Sequence, residues 1–119
     1  LTENKKDGLE AAIKLIEKED YESAITMLDN LEKGGGSDPE IKKQKDIAVQ
    51  KLINQERNRA AKIFLAAKKT DDIIKKKEML QSAQDIISGL IERYPTAESI
   101  KQLKSNLNSI NEEIKKIGK

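Results

Sequence analysis

The stretch from Met79 to Pro95 constrains the fold of this chain most, because its apolar residues recur at helical spacing and stop at a proline. These residues are Leu80, Ala83, Ile87, Leu90 and Tyr94. Side chains three and four positions apart share one face of a helix, and a small alanine between larger neighbours lets a second helix approach closely. Pro95 cannot continue a helix and pushes the preceding residue out of the helical region. The stretch therefore predicts the second helix of a helical hairpin.

The composition favours thin helix-on-helix packing in a single domain over residues 1–119. The chain has 119 residues, and a domain usually has roughly 100–200. Charged residues make up 37%, hydrophobic residues 36% and aromatic residues 3% of the sequence, so apolar stripes on helices are expected rather than one deep core. The net charge of +2 gives no strong electrostatic case for a nucleic acid or an anionic membrane. We predict no nucleic-acid partner.

The residue types present argue against catalysis and against a metal or cofactor. The sequence has no Cys and no His, which excludes thiol nucleophiles, thiolate ligands and the commonest general base. The paired carboxylates at 71–72 and 112–113 are sequence neighbours, and adjacent helical residues point roughly 100° apart. The three glycines at 34–36 lack the Gly-Lys-Ser/Thr of a phosphate loop. We predict a non-enzyme without a cofactor.

The sequence predicts no transmembrane segment in this chain and gives no direct signal for its compartment. No apolar run approaches the roughly 20 residues that span a bilayer. The chain begins with Leu1, which is not a natural start residue, so we expect a mature form or an excised fragment. The lack of a visible signal peptide then says nothing about location.

Residues 1–33 are predicted to form a first helical hairpin. Thr2 is the expected N-cap of a helix that runs to about Lys18, Glu19 and Asp20 form the turn, and a second helix covers about 21–33. Gly8 lowers helix propensity by up to about 1 kcal/mol relative to alanine, so the first turn and a half is expected to fray or lie outside the helix. The apolar faces of the two helices are Leu9, Ala12, Ile13 and Ile16, and Tyr21, Ala24, Ile25, Leu28 and Leu31.

Residues 34–38 are predicted to form a glycine-rich turn. A glycine in the left-handed conformation would close the preceding helix, and Pro39 suits the first helical position after an Asp38 or Ser37 cap. A flexible link is the alternative, although we favour a sharp turn that lets the next helix pack back.

Residues 39–95 are predicted to form a long helical hairpin. No Gly or Pro interrupts 39–69, so one long third helix is expected, with a break near 54–58 as the alternative. A broad apolar side and a second lane on the opposite side indicate either cover on both sides or an exposed ligand-facing side. Asp71 and Asp72 supply caps for the fourth helix, which runs to Tyr94. The second lane is Ile47, Asn54, Asn58, Ala61 and Leu65, and the broad side is Ile41, Ala48, Val49, Leu52, Ile53, Ala60, Ile63, Phe64 and Ala67.

Residues 96–119 are predicted to form a C-terminal capping helix. Thr96 is the expected N-cap, and Gly118 is expected to help end the helix. The apolar residues of this helix alternate three and four apart without a miss, which is a strict heptad seam. Such a seam closes either the end of the domain or a homodimer. Its residues are Ile100, Leu103, Leu107, Ile110, Ile114 and Ile117.

These patterns resemble the tetratricopeptide repeat (TPR) family. The second helix of that repeat carries a large residue, an alanine three positions on, further large contact residues and a closing proline. Residues 80, 83, 87, 90 and 95 match this pattern, and residues 21, 24, 28 and 31 match it again without the proline. The two alanines are 59 positions apart, whereas such repeats recur at about 34 residues, and the long third helix would account for the excess.

The resemblance implies an all-α fold of antiparallel helical hairpins, stacked as a right-handed superhelix of about five helices. It also implies a non-catalytic scaffold that binds a protein or peptide. The run from Arg93 to Ile100 is similar to repeats common in bacterial cell-envelope proteins of this family. This similarity implies an envelope assembly and a periplasmic or envelope location, with the cytoplasm as the alternative.

The candidate partner-binding residues lie on the second lane of the third helix and beside it. Asn54 and Asn58 are one helical turn apart, and Lys51 and Lys62 flank them. An amide offers both a donor and an acceptor to a peptide backbone, and lysines suit acidic groups. In TPR proteins the first helices line the binding groove, which implies the same role here. The alternatives are simple solvent exposure or an intramolecular contact, and a structural or oligomerising role of the heptad seam is the second function considered.

Overall fold

The computed structural model describes residues 3–34 and 38–118, with side chains from residue 5 onward, and within these residues it has five helices and no strand. The all-α prediction is confirmed. The chain divides into two compact units, Leu1–Leu52 and Ile53–Lys119, called the N-terminal and C-terminal units below. The prediction of a single domain over 1–119 stays a prediction. The helices are α1 (Glu3–Glu17), α2 (Tyr21–Lys33), α3 (Pro39–Lys69), α4 (Ile73–Arg93) and α5 (Ile100–Ile117).

In the N-terminal unit, α1 packs against α2 through a turn at Glu19 and Asp20. The backbone N–H of Glu19 donates to the carbonyl of Ile16 at 3.0 Å, and that of Asp20 donates to the carbonyl of Leu15 at 2.9 Å. Glu19 is left-handed, with φ 64°, so the pair of bonds is a Schellman closure of α1. The carboxylate of Asp20 then accepts from the N–H of Ser23 at 3.3 Å and caps α2.

The core of the N-terminal unit is made by α1, α2 and the start of α3. A built Cβ on Gly8 would lie 2.7 Å from Cδ2 of Leu31, so this glycine lets α1 approach α2 closely. The expectation that the first turn and a half lies outside the helix is wrong, because α1 already begins at Glu3, and its fraying stays a prediction. Thr2, the expected N-cap, lies outside the described residues. The buried cluster is Leu9, Ala12, Leu28 and Ile41, with Ile13, Met27 and Leu31 packed against it.

The glycine-rich turn is described only at its two ends. Gly34 ends α2 with φ −75° and ψ −2°, which is right-handed, so Gly34 does not supply the expected left-handed closure. Its N–H donates to the carbonyls of Asn30 and Leu31, so the hydrogen bonding of α2 continues to Gly34. Asp38 accepts from the N–H of Glu40 at 2.8 Å and caps α3. Residues 35–37, including the alternative cap Ser37, lie outside the described part of the chain.

Helix α3 is one helix of 31 residues, and the alternative of a break near 54–58 is wrong. It contributes residues up to Leu52 to the N-terminal unit and residues from Ile53 to the C-terminal unit. Its predicted broad side is buried or half-buried at every position. Its second lane is half-buried at Ile47 and exposed at Asn54, Asn58, Ala61 and Leu65. The helix is therefore covered along one side and open to solvent along most of the other.

In the C-terminal unit, α4 packs against α5. The carboxylate of Asp72 accepts from the N–H groups of Ile74 and Lys75 at 3.0 and 3.2 Å, as expected for the cap of α4. Tyr94 ends the helix in a non-helical conformation, with φ −129° and ψ 60°, which agrees with the restriction that Pro95 places on it. The buried residues of α4 are Leu80, Ala83, Ile87 and Leu90, and those of α5 are Leu103 and Ile110.

The start of α5 differs from the prediction. The helix begins at Ile100 after Ser99, which makes no side-chain cap bond, so Thr96 is not the N-cap. The N–H of Ala97 donates to the carbonyl of Tyr94, and the N–H of Ile100 donates to the carbonyl of Ala97, both at 3.1 Å. These two tight turns use the backbone that a cap at Thr96 would need, and they delay the helix by one turn.

Candidate functional site

A groove in the C-terminal unit lies along α3 and α5, with α4 beneath it. Its volume is about 320 Å³, at the lower end of the roughly 300–1,000 Å³ range of ligand sites. Ala60, Ile87 and Ile110 are buried and supply apolar surface at its base, and Phe64 is half-buried. The groove is lined by Arg57, Asn58, Ala60, Ala61, Phe64, Ile87, Asn106, Ser109 and Ile110.

Arg57 links the two helices that flank the groove. Its Nε donates to Oδ1 of Asn106 at 3.1 Å, and its Nη1 donates to Oε1 of Gln102 at 3.0 Å. Gln102 and Asn106 lie one turn apart on the same face of α5, so a single guanidinium can bind both side chains. Both acceptors are neutral amide oxygens, and neither neutralises the charge of Arg57. The groove thus carries a positive charge held in a fixed orientation.

A second amide contact fixes α4 against α5. Nε2 of Gln84 donates to Oδ1 of Asn111 at 2.7 Å in a partly buried position. Buried or half-buried amides need partners, and amide side chains of α5 provide contacts both to α3 and to α4. The α5 helix is therefore held from both sides by side chains that do not titrate.

The predicted partner-binding residues have different positions relative to the groove. Asn58 lines it and is exposed, and its lane neighbour Ala61 lines it as well. Asn54 and Lys62 are exposed on α3 without lining the groove. Lys51 is exposed but belongs to the N-terminal unit. The structure places one of the four predicted residues, Asn58, at a concave site.

The heptad seam is only partly buried. Leu103 and Ile110 are buried, and Ile110 also lines the groove. The other four seam residues are half-buried: Ile100, Leu107, Ile114 and Ile117. The seam therefore packs into the C-terminal unit through its second and fourth residues and leaves part of its apolar surface in contact with solvent.

Sequence reasoning missed Arg57, Asn106 and Ser109 as groove residues, and it assigned Phe64 only to the covered side of α3. The polar residues beside the seam were one available signal, because Gln102, Asn106 and Ser109 recur at helical spacing on α5. That spacing predicts a shared polar face, but it does not say which helix faces it.

The pKa values of Lys45 and Glu113 are displaced from their ordinary values. The hydrogen bond to Asp29 raises the pKa of Lys45 above 10.5, against the opposing effect of burial, and Glu32 adds to the rise. The hydrogen bond from Lys116 lowers the pKa of Glu113 below 4.5. Both shifts belong to ion pairs on helix surfaces, away from the lining of the groove.

Other concave or charged features of the described residues offer less. A hollow along α2 is lined by Glu22, Ser23, Thr26, Met27 and Asn30, all from one helix, so no second element encloses a ligand. Within residues 3–34 and 38–118, no three His, Cys, Asp or Glu side chains are grouped as metal ligands. No helix in the same residues is long and apolar enough to cross a bilayer.

The chain matches no family model, no curated protein and no solved structure. The case for a function therefore rests on the residues of the groove and of the surface around it.

Proposed function

We propose that this chain is a non-catalytic protein-interaction module that binds a peptide segment in the groove of the C-terminal unit. The observation that carries the proposal is the combination of an apolar base with polar groups along the rim. Ile87, Ile110 and Phe64 offer surface to an apolar side chain of the peptide, while Asn58 and Ser109 offer donors and acceptors to its backbone.

The charge of the groove favours a particular kind of peptide. Arg57 bonds only neutral amides in the contacts described above, so an acidic side chain of a ligand would meet an uncompensated guanidinium. We expect the preferred peptide to carry an apolar residue close to an Asp or Glu. Charge-assisted bonds of this kind are roughly twice as strong as neutral ones.

The wider architecture in this proposal is a TPR-like superhelix, and the setting is a bacterial envelope assembly. The α1–α2 pair with its short turn, and the buried residues at 80, 83, 87 and 90, support helical hairpins of this kind. The envelope setting and a periplasmic location rest on the resemblance of residues 93–100 to envelope repeats.

A substitution that fills the groove tests the peptide-binding proposal. Random peptides displayed on phage would be selected against the wild type, and the dissociation constant of the best peptide would be measured by titration calorimetry. Ala61→Trp places a large ring in the groove, whereas Ala66→Trp makes the same change at an exposed position of α3 outside it.

The two variants give separable results. We expect Ala61→Trp to weaken binding at least about tenfold, equivalent to 1.4 kcal/mol, and Ala66→Trp to leave it unchanged. The proposal would be overturned if no peptide were selected against the wild type. It would also be overturned if Ala61→Trp and Ala66→Trp bound the selected peptide with equal affinity. Circular dichroism spectra of the two variants verify that each remains helical.

Oligomerisation through α5 is the second candidate function, and the half-buried seam residues favour it. Leu107, Ile114 and Ile117 leave apolar surface that a second copy could cover. Sedimentation velocity over a range of concentrations would show a dimer that Ile114→Glu abolishes and that Lys115→Glu, at an exposed position beside it, preserves. A single-chain mass at every concentration would contradict this function.

A further inference from the structure

The groove of the C-terminal unit lies between two stripes of side chains with the same spacing. On each of α3 and α5, four residues recur at intervals of four, three and four positions, and residues with this spacing share one face of a helix. The bonds from Arg57 to Gln102 and Asn106 place the two stripes opposite each other. The α3 stripe is Arg57, Ala61, Phe64 and Lys68, and the α5 stripe is Gln102, Asn106, Ser109 and Glu113.

A charged side chain occupies each end of the α3 stripe. At the first end, Arg57 bonds the two amides of α5. At the second end, Nζ of Lys68 lies 5.4 Å from the centroid of the Phe64 ring. Lys68 also lies close enough to Glu113 to contribute, after Lys116, to the lowered pKa of that carboxyl group. Arg57 and Lys68 are eleven positions apart, which is roughly 16 Å along a helix, and the groove lies between them.

Two small residues leave space in the middle of the stripes. Ala61 and Ser109 are the smallest members of their stripes, and both line the groove. Ile87 and Ile110 lie buried beneath them. A volume of about 320 Å³ is at the lower end of the range for ligand sites, so it suits one large side chain better than a length of chain. We call this space, lined by Ala61, Phe64, Ile87, Ser109 and Ile110, the side-chain hole.

The walls of the side-chain hole favour an aromatic occupant. Phe64 is half-buried and lines the groove, so its ring can pack edge-to-face or offset against a second ring. The guanidinium of Arg57, which two amide oxygens hold in place, can attract the face of the same ring. An aliphatic side chain would bury apolar area but would make neither of these contacts. Aromatic residues are also common anchors in desolvated pockets of protein interfaces.

The charge around the side-chain hole favours an acidic residue beside the anchor. Residues 53–119, which form the C-terminal unit, contain fourteen Lys and Arg and nine Asp and Glu. Glu113 lies near Lys68, and Glu56 is paired with Arg59 at 2.7 Å. The bonds of Arg57 to α5, in contrast, end on neutral amide oxygens. A ligand carboxylate is therefore expected at the Arg57 end of the hole, where a charge-assisted bond can form.

We propose that the side-chain hole takes one aromatic side chain of the bound peptide, with an acidic residue next to it at the Arg57 end, and that Ala61 and Ser109 set the size of the side chain that is accepted. The inference rests on the proposed binding of a peptide in the groove and adds which side chain enters it. The inserted ring lies over Ile87 and Ile110 and against Phe64. Ala61 and Ser109 act as specificity-determining residues, because a larger side chain at either position would occupy the space of the ring.

A series of peptides tests which side chain is inserted. An alanine scan of the best peptide selected on the wild type identifies the residue whose loss weakens binding most. That residue would then be changed in turn to Phe, Leu and Ala, and each dissociation constant measured by titration calorimetry. We expect the scan to identify an aromatic residue. The wild type should bind the Phe peptide at least about threefold more tightly than the Leu peptide, and at least about tenfold more tightly than the Ala peptide.

Two protein variants test which residues set the size of the hole. Ala61→Leu and Ser109→Leu fill the hole from opposite walls. Each should weaken binding of the Phe peptide at least about tenfold and change binding of the Ala peptide less than about twofold, so that the preference for the large anchor is lost. Ala66→Leu and Ser105→Leu make the same changes at exposed positions of the same helices outside the groove lining, and they should keep the wild-type preference. Circular dichroism would show that all four variants remain helical.

The outcomes separate this inference from the proposed function. Peptide binding would stand and the inference would be overturned if the scan identified an aliphatic anchor, or if the Leu and Phe peptides bound the wild type equally. The same holds if Ala61→Leu weakened the Phe and Ala peptides by the same factor, because the groove would then contact the peptide backbone rather than one side chain. Selection of no peptide, or full affinity of both Ala61→Leu and Ser109→Leu for the Phe peptide, would overturn the inference together with the groove as the binding site.

Discussion

The two units hold α3 to its neighbours with different chemistry. In the N-terminal unit, Nζ of Lys45 on α3 reaches Oδ1 of Asp29 at 2.6 Å and Oε1 of Glu32 at 3.0 Å, both on α2. In the C-terminal unit, Arg57 on α3 donates to amide oxygens of α5. One helix is thus fixed by a charge pair in its first half and by neutral acceptors in its second half.

This difference has a consequence for function. An ion pair that is about a third exposed to solvent weakens with salt and depends on the protonation of both partners. Amides and hydroxyls do not titrate, and a guanidinium stays charged at any ordinary pH. The contacts of Arg57 with Gln102 and Asn106 should therefore depend little on pH and salt.

The largest expected effects come from the cores, where the two units should be alike. Leu28 in the N-terminal unit and Leu103 in the C-terminal unit are both 0% exposed. Truncation of either to alanine should lower the free energy of unfolding by about 2–5 kcal/mol, because it leaves a cavity. Urea unfolding followed by circular dichroism measures the change, and Leu65→Ala, at an exposed site, is the control.

Equal losses at Leu28 and Leu103 would confine the difference between the units to their polar contacts. A loss at Leu103 no larger than at Leu65 would mean that the C-terminal unit is not packed around α5 in solution.

Matched substitutions of the two α3 cations sharpen the comparison directly. Lys45→Met and Arg57→Met each remove one positive charge and keep an apolar stem. We expect Arg57→Met to cost about 1–2 kcal/mol, because it leaves the half-buried amide of Asn106 without its donor. We expect Lys45→Met to cost up to about 1 kcal/mol at low salt, as a half-exposed ion pair does. Urea unfolding at low and high salt measures both.

Salt is the internal control for this pair. The cost of Lys45→Met should shrink as salt increases, whereas the cost of Arg57→Met should not. Equal salt dependence in the two variants would show that the distinction between charge and amide contacts has no energetic meaning.

The helices could be predicted from the sequence, but the contacts that distinguish the units could not. Leu80, Ala83, Ile87 and Leu90 form a buried stripe, as their spacing predicts, because helical periodicity is a local property. The bond from Arg57 to Asn106 joins residues 49 positions apart. No local pattern specifies which polar face of α5 meets α3.

The sequence also misled at two positions, Thr96 and Gly8, where the preference of one residue type competes with its surroundings. Thr96 is a good cap type, yet successive tight turns after Tyr94 delay α5 to Ile100. Gly8 has a low helix propensity, yet the close approach of Leu31 makes a residue without a Cβ useful there. In both cases the tertiary or backbone arrangement outweighs the intrinsic preference of one residue.

Smaller effects on stability are expected at one backbone position in each unit. Introducing a glycine should stabilise the N-terminal unit, and removing one should stabilise the C-terminal unit. Glu19→Gly in the N-terminal unit should stabilise by about 0.5–1 kcal/mol, because φ 64° is costly for a residue with a Cβ. Gly89→Ala in the C-terminal unit should stabilise by a similar amount, about 0.5–1 kcal/mol, since a Cβ there meets nothing within 4 Å. Thermal unfolding measures both changes.

Gly8→Ala is the control for Gly89→Ala. Its new Cβ would meet Cδ2 of Leu31 at 2.7 Å, so the stabilisation should be smaller than at Gly89. A larger gain at Gly8 than at Gly89 would contradict the close packing of α1 on α2.

The smallest expected effects are pH-dependent and lie at opposite ends of the pH scale in the two units. The pKa of Lys45 is raised above 10.5 by Asp29 and then Glu32, so its stabilisation is present below pH 10.5 and is lost as pH rises through the higher folded value. The pKa of Glu113 is lowered below 4.5, mainly by Lys116, so its stabilisation is present above pH 4.5 and is lost as pH falls through the lower folded value. Solvent screening keeps each effect at or below about 1 kcal/mol.

Urea unfolding below and above pH 4.5 and pH 10.5 measures both effects. The wild type should lose its extra stability over Lys45→Met only in alkali, and its extra stability over Glu113→Gln only in acid. If both advantages vanished at the same end, the charge pairs would not be the groups that respond, because the two shifts have opposite signs.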